Sequence, residues 1–173
     1  MRDLYLLRHA KSDWGDDRQD DHDRPLAPRG ERACAAVGPE LGRGSPPPRL
    51  ALCSSARRAV DTLERVLAHL TPTPPLRIEN DLYLASTSQL FEALAGLDDA
   101  LDAVLMVGHN PGLQAFALDL AGEGDRDAYD RLRHKLPTAG LVHLRFPAER
   151  WRDVGPGSGR LVRFVTPKEL AAR

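Results

Sequence analysis

An arginine and a histidine stand side by side at Arg8-His9, directly after the apolar run Leu4-Tyr5-Leu6-Leu7. A strand that ends by delivering a guanidinium next to an imidazole suits attack on phosphorus. Arginine grips phosphate oxygens in a planar fork, and a neutral imidazole can serve as nucleophile. The dipeptide alone is a weak signal. It gains weight from two later junctions of the same design, Cys53-Ser54-Ser55 leading to Arg57-Arg58, and Gly108-His109-Asn110 leading to Pro111. Each follows an apolar run and opens a helical pattern, where free N–H groups and the helix dipole favour an anion.

Those junctions need a frame. Strand-like runs fall at Leu4–Leu7, Leu50–Cys53, Ala103–Val107, Leu141–Phe146 and Leu161–Val165, with Arg77–Glu79 as a short edge strand. The run at Ala103–Val107 is apolar throughout, which predicts a strand covered on both faces. Between the runs lie helical patterns. Ala59, Leu63, Val66, Leu67 and Leu70 share one face, and Leu90, Ala93, Leu94 and Leu97 another, behind Ser86-Thr87-Ser88-Gln89 in capping-box form. Asn110-Pro111 reads as cap and first residue of a helix through Phe116 and Leu120. Arg29 to about Leu41 is helical in pattern, with Pro39 expected to end or kink it.

Alternation of this kind predicts a three-layer α/β/α sandwich with a mostly parallel, mixed sheet. Only a polar Gly/Pro-rich stretch separates the last two runs, so they are expected to form a C-terminal antiparallel hairpin at one sheet edge. Ligands of such sheets collect beyond the carboxyl ends of the strands, where all three junctions would lie. The 173 residues, 42% of them hydrophobic, suit one domain spanning 1–173. No apolar stretch nears the ~20 residues of a spanning helix, no signal-peptide layout opens the chain, and a cytoplasmic protein is expected. A net charge of −1 argues against nucleic acid and membrane partners. Cys34 and Cys53 make no disulfide framework, and no Cys/His spacing suggests structural zinc.

The motifs carry a specific resemblance. Leu7-Arg8-His9-Ala10, then Ser54-Ser55-Ala56-Arg57-Arg58-Ala59-Val60-Asp61-Thr62, then Val107-Gly108-His109-Asn110-Pro111 resemble the histidine phosphatase superfamily. The short chain, with Asp23-Arg24-Pro25-Leu26 followed by Gly30, is similar to the small bacterial phosphohistidine phosphatases of the SixA type. The resemblance implies a phosphoenzyme intermediate on His9, no cofactor and no metal. It implies that Arg8, Arg58 and His109 clamp the phosphoryl oxygens, with Arg24 and Asn110 as substrate-binding residues near them. Ala10 departs from the usual glycine and Asp61 from the usual glutamine. Gly15 stands where the mutase-like branch has a phosphate-touching asparagine. The glutamate acid of larger members has no counterpart in register within Glu79-Asn80-Asp81-Leu82-Tyr83.

That missing acid bears on substrate. A phosphate ester leaves as an alkoxide and gains strongly from a general acid. Phosphohistidine leaves as imidazole, with a conjugate-acid pKa of roughly 6.5, and can take its proton from solvent. The expected substrate is therefore phosphohistidine in a protein, such as a phosphotransfer domain, with a small phosphorylated metabolite as the alternative. Three other readings stay open: a non-catalytic phosphate-binding module, a metal hydrolase built on His9, His109 and Asp81, and a cysteine phosphatase. The last is weakened because Cys53 to Arg58 is one residue short of Cys-x5-Arg. The segment from Asp13 to Asp23 holds six aspartates against Arg18 and His22. It reads first as a solvated loop, and as a lid it would disfavour polyanionic ligands. His22, His69, His134 and His143 show no partner pattern.

Overall fold

The computed structural model describes residues 1–173. Its strands are β1 (Arg2–Arg8), β2 (Leu50–Ser54), β3 (Leu76–Glu79), β4 (Ala103–Gly108), β5 (Ala121–Gly124), β6 (Leu141–Phe146) and β7 (Gly159–Val165). They form one sheet in the order β3-β2-β4-β1-β6-β7-β5. Pairings β2–β3, β2–β4, β1–β4 and β5–β7 are parallel, and β1–β6 and β6–β7 are antiparallel. The helices are α1 (Pro28–Gly42), α2 (Arg57–Leu67), α3 (Thr87–Ala95), α4 (Gly112–Leu120), α5 (Arg126–His134) and α6 (Pro167–Ala171).

Period-two alternation in the central strands divides the core into two layers. Leu4, Leu6, Leu52, Val104 and Met106 pack on one face with Leu90 and Leu94 of α3, Leu113 and Phe116 of α4 and Leu132 of α5. Tyr5, Leu7, Cys53, Leu105 and Val107 pack on the other with Cys34, Val37 and Leu41 of α1 and Leu63 and Val66 of α2. This is the expected α/β/α sandwich. The capping box before α3 is present, with Ser86 Oγ accepting from Gln89 N–H and the Gln89 side chain accepting from Ser86 N–H.

Two local expectations need correction and a third is narrowed. The β6–β7 hairpin is antiparallel but not at the edge, because β5 pairs outside β7. Ala-Gly-Glu-Gly has no β-branched or aromatic residue and so carried no strand signal. Pro39 does not end α1, which runs on to Gly42. The proline stands near the helix end, its missing donor belongs opposite the carbonyl of exposed Ala35, and buried Val37 and Leu41 hold the turn in place. Helix α4 starts at Gly112, one residue after Pro111, and Asn110 Oδ1 accepts from Gln114 N–H one turn on. The two C-terminal helices were also missed. Helix α5 buries only Ala128 and Leu132, too thin a stripe to read. Helix α6 did carry a signal, a Thr166–Glu169 capping box with Pro167 between them.

Gly30 in the first turn of α1 presses on the chain just beyond β1. A Cβ there would collide with the Lys11 backbone carbonyl oxygen. Helix propensity alone favours Gly30→Ala by about 1 kcal/mol. The contact reverses the sign, and the variant is expected to be destabilised by about 1–3 kcal/mol in urea unfolding, with reduced turnover.

Candidate active site

Strand register brings the predicted residues together. Arg8 lies opposite Gly108 and Cys53 opposite Val107, so His9, Ser54 and His109 meet at the carboxyl edge of the sheet. The His9 and His109 rings are 5.1 Å apart between centroids, and His109 Nε2 is 2.7 Å from Ser54 Oγ. Arg58, in the first turn of α2, brings Nη2 to 3.4 Å from His109 Nδ1. All three of His9, Arg58 and His109 are buried, and Arg8 is half-buried.

The hydrogen bonds decide where the imidazole protons sit. His9 Nδ1 is 2.8 Å from the Ala10 carbonyl oxygen, which can only accept, so Nδ1 carries the hydrogen and Nε2 keeps its lone pair. The Arg58 guanidinium can only donate, so His109 Nδ1 accepts and its Nε2–H donates to Ser54 Oγ. Ser54 Oγ also accepts from Ala56 N–H at 3.2 Å. Burial above all, with Arg58 and Arg8 adding to it against the Ala10 bond, pushes His9 down to about 4. Burial, then His9 and Arg58, push His109 down to about 3. Both rings are neutral at physiological pH.

The two arginines differ. Arg8 donates from Nη1 to the Leu136 carbonyl at 3.1 Å, its Nε is buried without a partner, and it forms no ion pair. Arg58 is paired. Its Nη1 donates to the Asp21 carbonyl at 2.7 Å and its Nη2 to Asp21 Oδ2 at 3.0 Å. The Tyr83 hydroxyl donates to the same Oδ2. Burial pulls the Asp21 carboxyl upward, but the bonds from Tyr83 and Arg58 outweigh it and hold the group below its ordinary range. Asp21 is thus an ionised acceptor and a poor proton donor. His22, which had no pattern in the sequence, sits at the rim with Nε2 2.9 Å from Ser55 Oγ and its ring edge-on to Tyr83. Six look-alike aspartates gave no means of singling out Asp21, because the choice is made by a fold contact with α2.

Other residues hold this arrangement. Thr62 Oγ1 accepts from Ala10 N–H at 2.9 Å and donates to the Arg58 carbonyl at 2.7 Å, tying the end of β1 to α2. Ala10 is fully buried in the second core layer. Ala139 N–H donates to the Arg8 and His9 carbonyls, and holds φ at 59°, a left-handed conformation that costs an alanine about 1 kcal/mol. Arg24 is buried, stacks 4.0 Å over the Trp14 ring, and donates to the Asp16 and Gln19 carbonyls. Asn110 Nδ2 donates to the Leu136 carbonyl, the same one that Arg8 uses. The hydrogen bonds of Arg24 and Asn110 run to neighbouring backbone and to Gln114, with the Arg24 Nε buried without a partner, and none crosses to Arg8 or Arg58.

Two alternatives lose their geometry. Asp81 is exposed and lines a different groove with Arg77, Glu79 and Glu92, so it does not join His9 and His109. No cluster of three or more His, Cys, Asp or Glu side chains is arranged to hold a metal ion. Cys53 is fully buried in β2, and burial pushes its thiol up to about 12, so no thiolate is available there.

Both site histidines have depressed pKa values, so each favours the native state above the ordinary histidine pKa, and that stability is lost as pH falls through the folded values. In NMR titration the His9 and His109 ring signals should stay in the neutral state to below pH 5, and a midpoint near 6.5 for either refutes the buried neutral pair. Asp21→Asn removes a negative charge that competes for Arg58, and should tighten tungstate binding several-fold in calorimetry.

The profile of the histidine phosphatase superfamily (branch 1) matches residues 4–83. An uncharacterized protein of Mycobacterium tuberculosis is 40% identical over 164 residues, covering 94% of this chain and 100% of the relative. The structure of a candidate phosphohistidine phosphatase SixA from Nakamurella multipartitia has a TM-score of 0.81 at 29% identity, covering 96% of each chain. Its counterpart from Agrobacterium tumefaciens has a TM-score of 0.80 at 25% identity, covering 96% of this chain and 98% of the other. A mycobacterial glucosyl-3-phosphoglycerate phosphatase, at 16% identity and a TM-score of 0.56 over 95% of this chain and 96% of its own, shares the fold alone. From its strand-end motifs, their convergence in space and these likenesses, the chain belongs to the histidine phosphatase superfamily, as a phosphohydrolase closely similar in structure to the SixA type.

Proposed function

We propose that this single-domain enzyme removes the phosphoryl group from phosphohistidine in a protein, through a phosphoenzyme on His9. The observation that carries the reading is an unpaired, half-buried Arg8 beside Arg58, with the free Nε2 of a neutral His9 between the strand ends. Such a pair of fixed cations invites a dianion, and positioning plus charge neutralisation is most of what phosphoryl transfer requires. The Nε2 lone pair attacks phosphorus, the substrate P–N bond breaks, and the departing imidazole takes its proton from solvent. Water then cleaves the new P–Nε2 bond, releasing inorganic phosphate and restoring neutral His9.

Arg8, Arg58 and His109 hold the phosphoryl oxygens in this scheme. For Arg58 this means exchanging Asp21 for the substrate. Arg24 and Asn110 act by positioning the loop at Asp16–Gln19 and the Leu136 carbonyl. The leaving group selects the substrate class. Asp21 is the carboxylate bonded into the site, and Tyr83 and Arg58 hold it ionised. A site so equipped favours a phosphoramidate over an alkoxide-leaving ester. No helix is long and apolar enough to cross a membrane, and a cytoplasmic phosphoprotein is the proposed substrate.

His9→Ala is expected to lose about 10⁴-fold or more in turnover, as expected for removal of a nucleophile. Acid-labile radiolabel should be trapped on the wild type and not on the variant. In a substrate panel, phosphohistidine protein should outrun sugar phosphates, and the reverse ranking overturns the assignment while leaving the nucleophile in place.

A further inference from the structure

A groove of about 730 Å³ is lined by chain segments that lead out of the site, Lys11 just past His9 and Lys135, Pro137 and Thr138 around Leu136 and before Ala139. Four side chains bring unpaired positive charge to it: Lys11 beyond β1, Arg29 in the first turn of α1, Lys135 after α5, and Lys168 in α6. None of the four forms an ion pair, whereas the other charges of the wall cancel. Arg131 pairs with Glu169, and Asp130 with Arg126 at 3.9 Å. In a chain of net charge −1 this is a local concentration of cations.

The groove wall is tied to the site through the chain. Lys135 and Pro137 of its wall flank Leu136, whose carbonyl accepts from Arg8 and Asn110. Lys11 stands two residues past His9. On the Arg58 side, in contrast, the border is the aspartate-rich segment, through Asp21. A ligand approaching the site thus meets positive charge on one flank and negative charge on the other.

We propose that this groove docks an acidic segment of the phosphoprotein substrate, flanking its phosphorylated residue. The proposal rests on the reading above that the substrate is a protein. The four cations come from four separate segments of the chain, and the groove far exceeds the size of one phosphate. A chain bearing several carboxylates can meet all of them at once. Charged and polar residues outnumber apolar ones in the lining, but their aliphatic stems, with Ala33, Pro137, Phe164 and Pro167, leave its exposed surface more apolar than polar. A docked acidic segment can thus pair its carboxylates with the cations and rest its own side chains on the stems. The aspartate flank turns away the same acidic segment in the reverse orientation, so the two flanks together set its direction.

The double variant Lys135→Glu, Lys168→Glu tests this. Both side chains are exposed, so the fold has no stake in them. On an acidic phosphohistidine protein, kcat/KM should fall about tenfold, through KM, and lose most of its salt dependence. On phosphoramidate, turnover should be unchanged. Equal losses on both substrates, or no loss on the protein, overturn the proposal. A binding arm separates it from the chemistry. His9→Ala protein should bind a fluorescein-labelled Asp/Glu-rich peptide, and the charge reversal should abolish that binding. Peptide binding that survives the reversal, or preference for a single-stranded oligonucleotide, refutes the groove assignment. Failure to hydrolyse any phosphoramidate, with peptide binding intact, refutes the phosphohistidine reading instead.

Discussion

The site depends on an electrostatic imbalance held in place by the sheet. Two guanidinium groups approach one anion site where water is partly excluded, and one carboxylate, Asp21, answers them. Arg58 is buried and satisfied, whereas Arg8 is half-buried and carries its charge without a counter-ion. Burial above all, with the excess positive charge adding to it, raises the cost of a further proton on either ring, so both imidazoles stay neutral. The same excess lowers the free energy of a phosphoryl dianion and of the charge that spreads over its oxygens during transfer. Under the proposed mechanism, burial and this imbalance together prepare the His9 nucleophile and the phosphoryl site.

Asp21 makes the balance adjustable. It occupies the edge of Arg58 that a phosphoryl oxygen would use, and Tyr83 and Arg58 together keep it ionised. The segment carrying it is pinned by Arg24, stacked on Trp14 and bonded to two of the segment's carbonyls. Arg24 therefore affects the anion site through the position of the acidic segment. His22 and Ser55 close the same rim. In the proposed docking, an acidic border on one side and a cationic groove on the other give an incoming protein segment a direction.

Much of the fold was legible because the signals were strong and local. The uninterrupted apolar run of β4 announced a doubly covered strand, and Ser86 to Gln89 announced a helix start that exists as written. Gly-rich β5, lacking any β-former, and thin-striped α5 were invisible for want of such signals, since they owe their place to neighbours already formed. Pro39 leaves α1 running to Gly42 because a proline near a helix end forfeits little when the turns around it are buried.

Residue order alone determined that Arg8-His9, Arg58 and His109 each stand at a strand-to-helix junction, and that parallel strands would bring those junctions to one edge. That much follows from hydrophobic periodicity, which is a property of neighbours in the chain. Which atoms face each other was decided by tertiary structure. Strand register put Gly108 beside Arg8, Thr62 linked Ala10 to α2, and Asp21 alone among six aspartates came within reach of Arg58. The charge state of the histidines belongs to the same class, because desolvation depends on what surrounds a group in space and not on what precedes it in sequence.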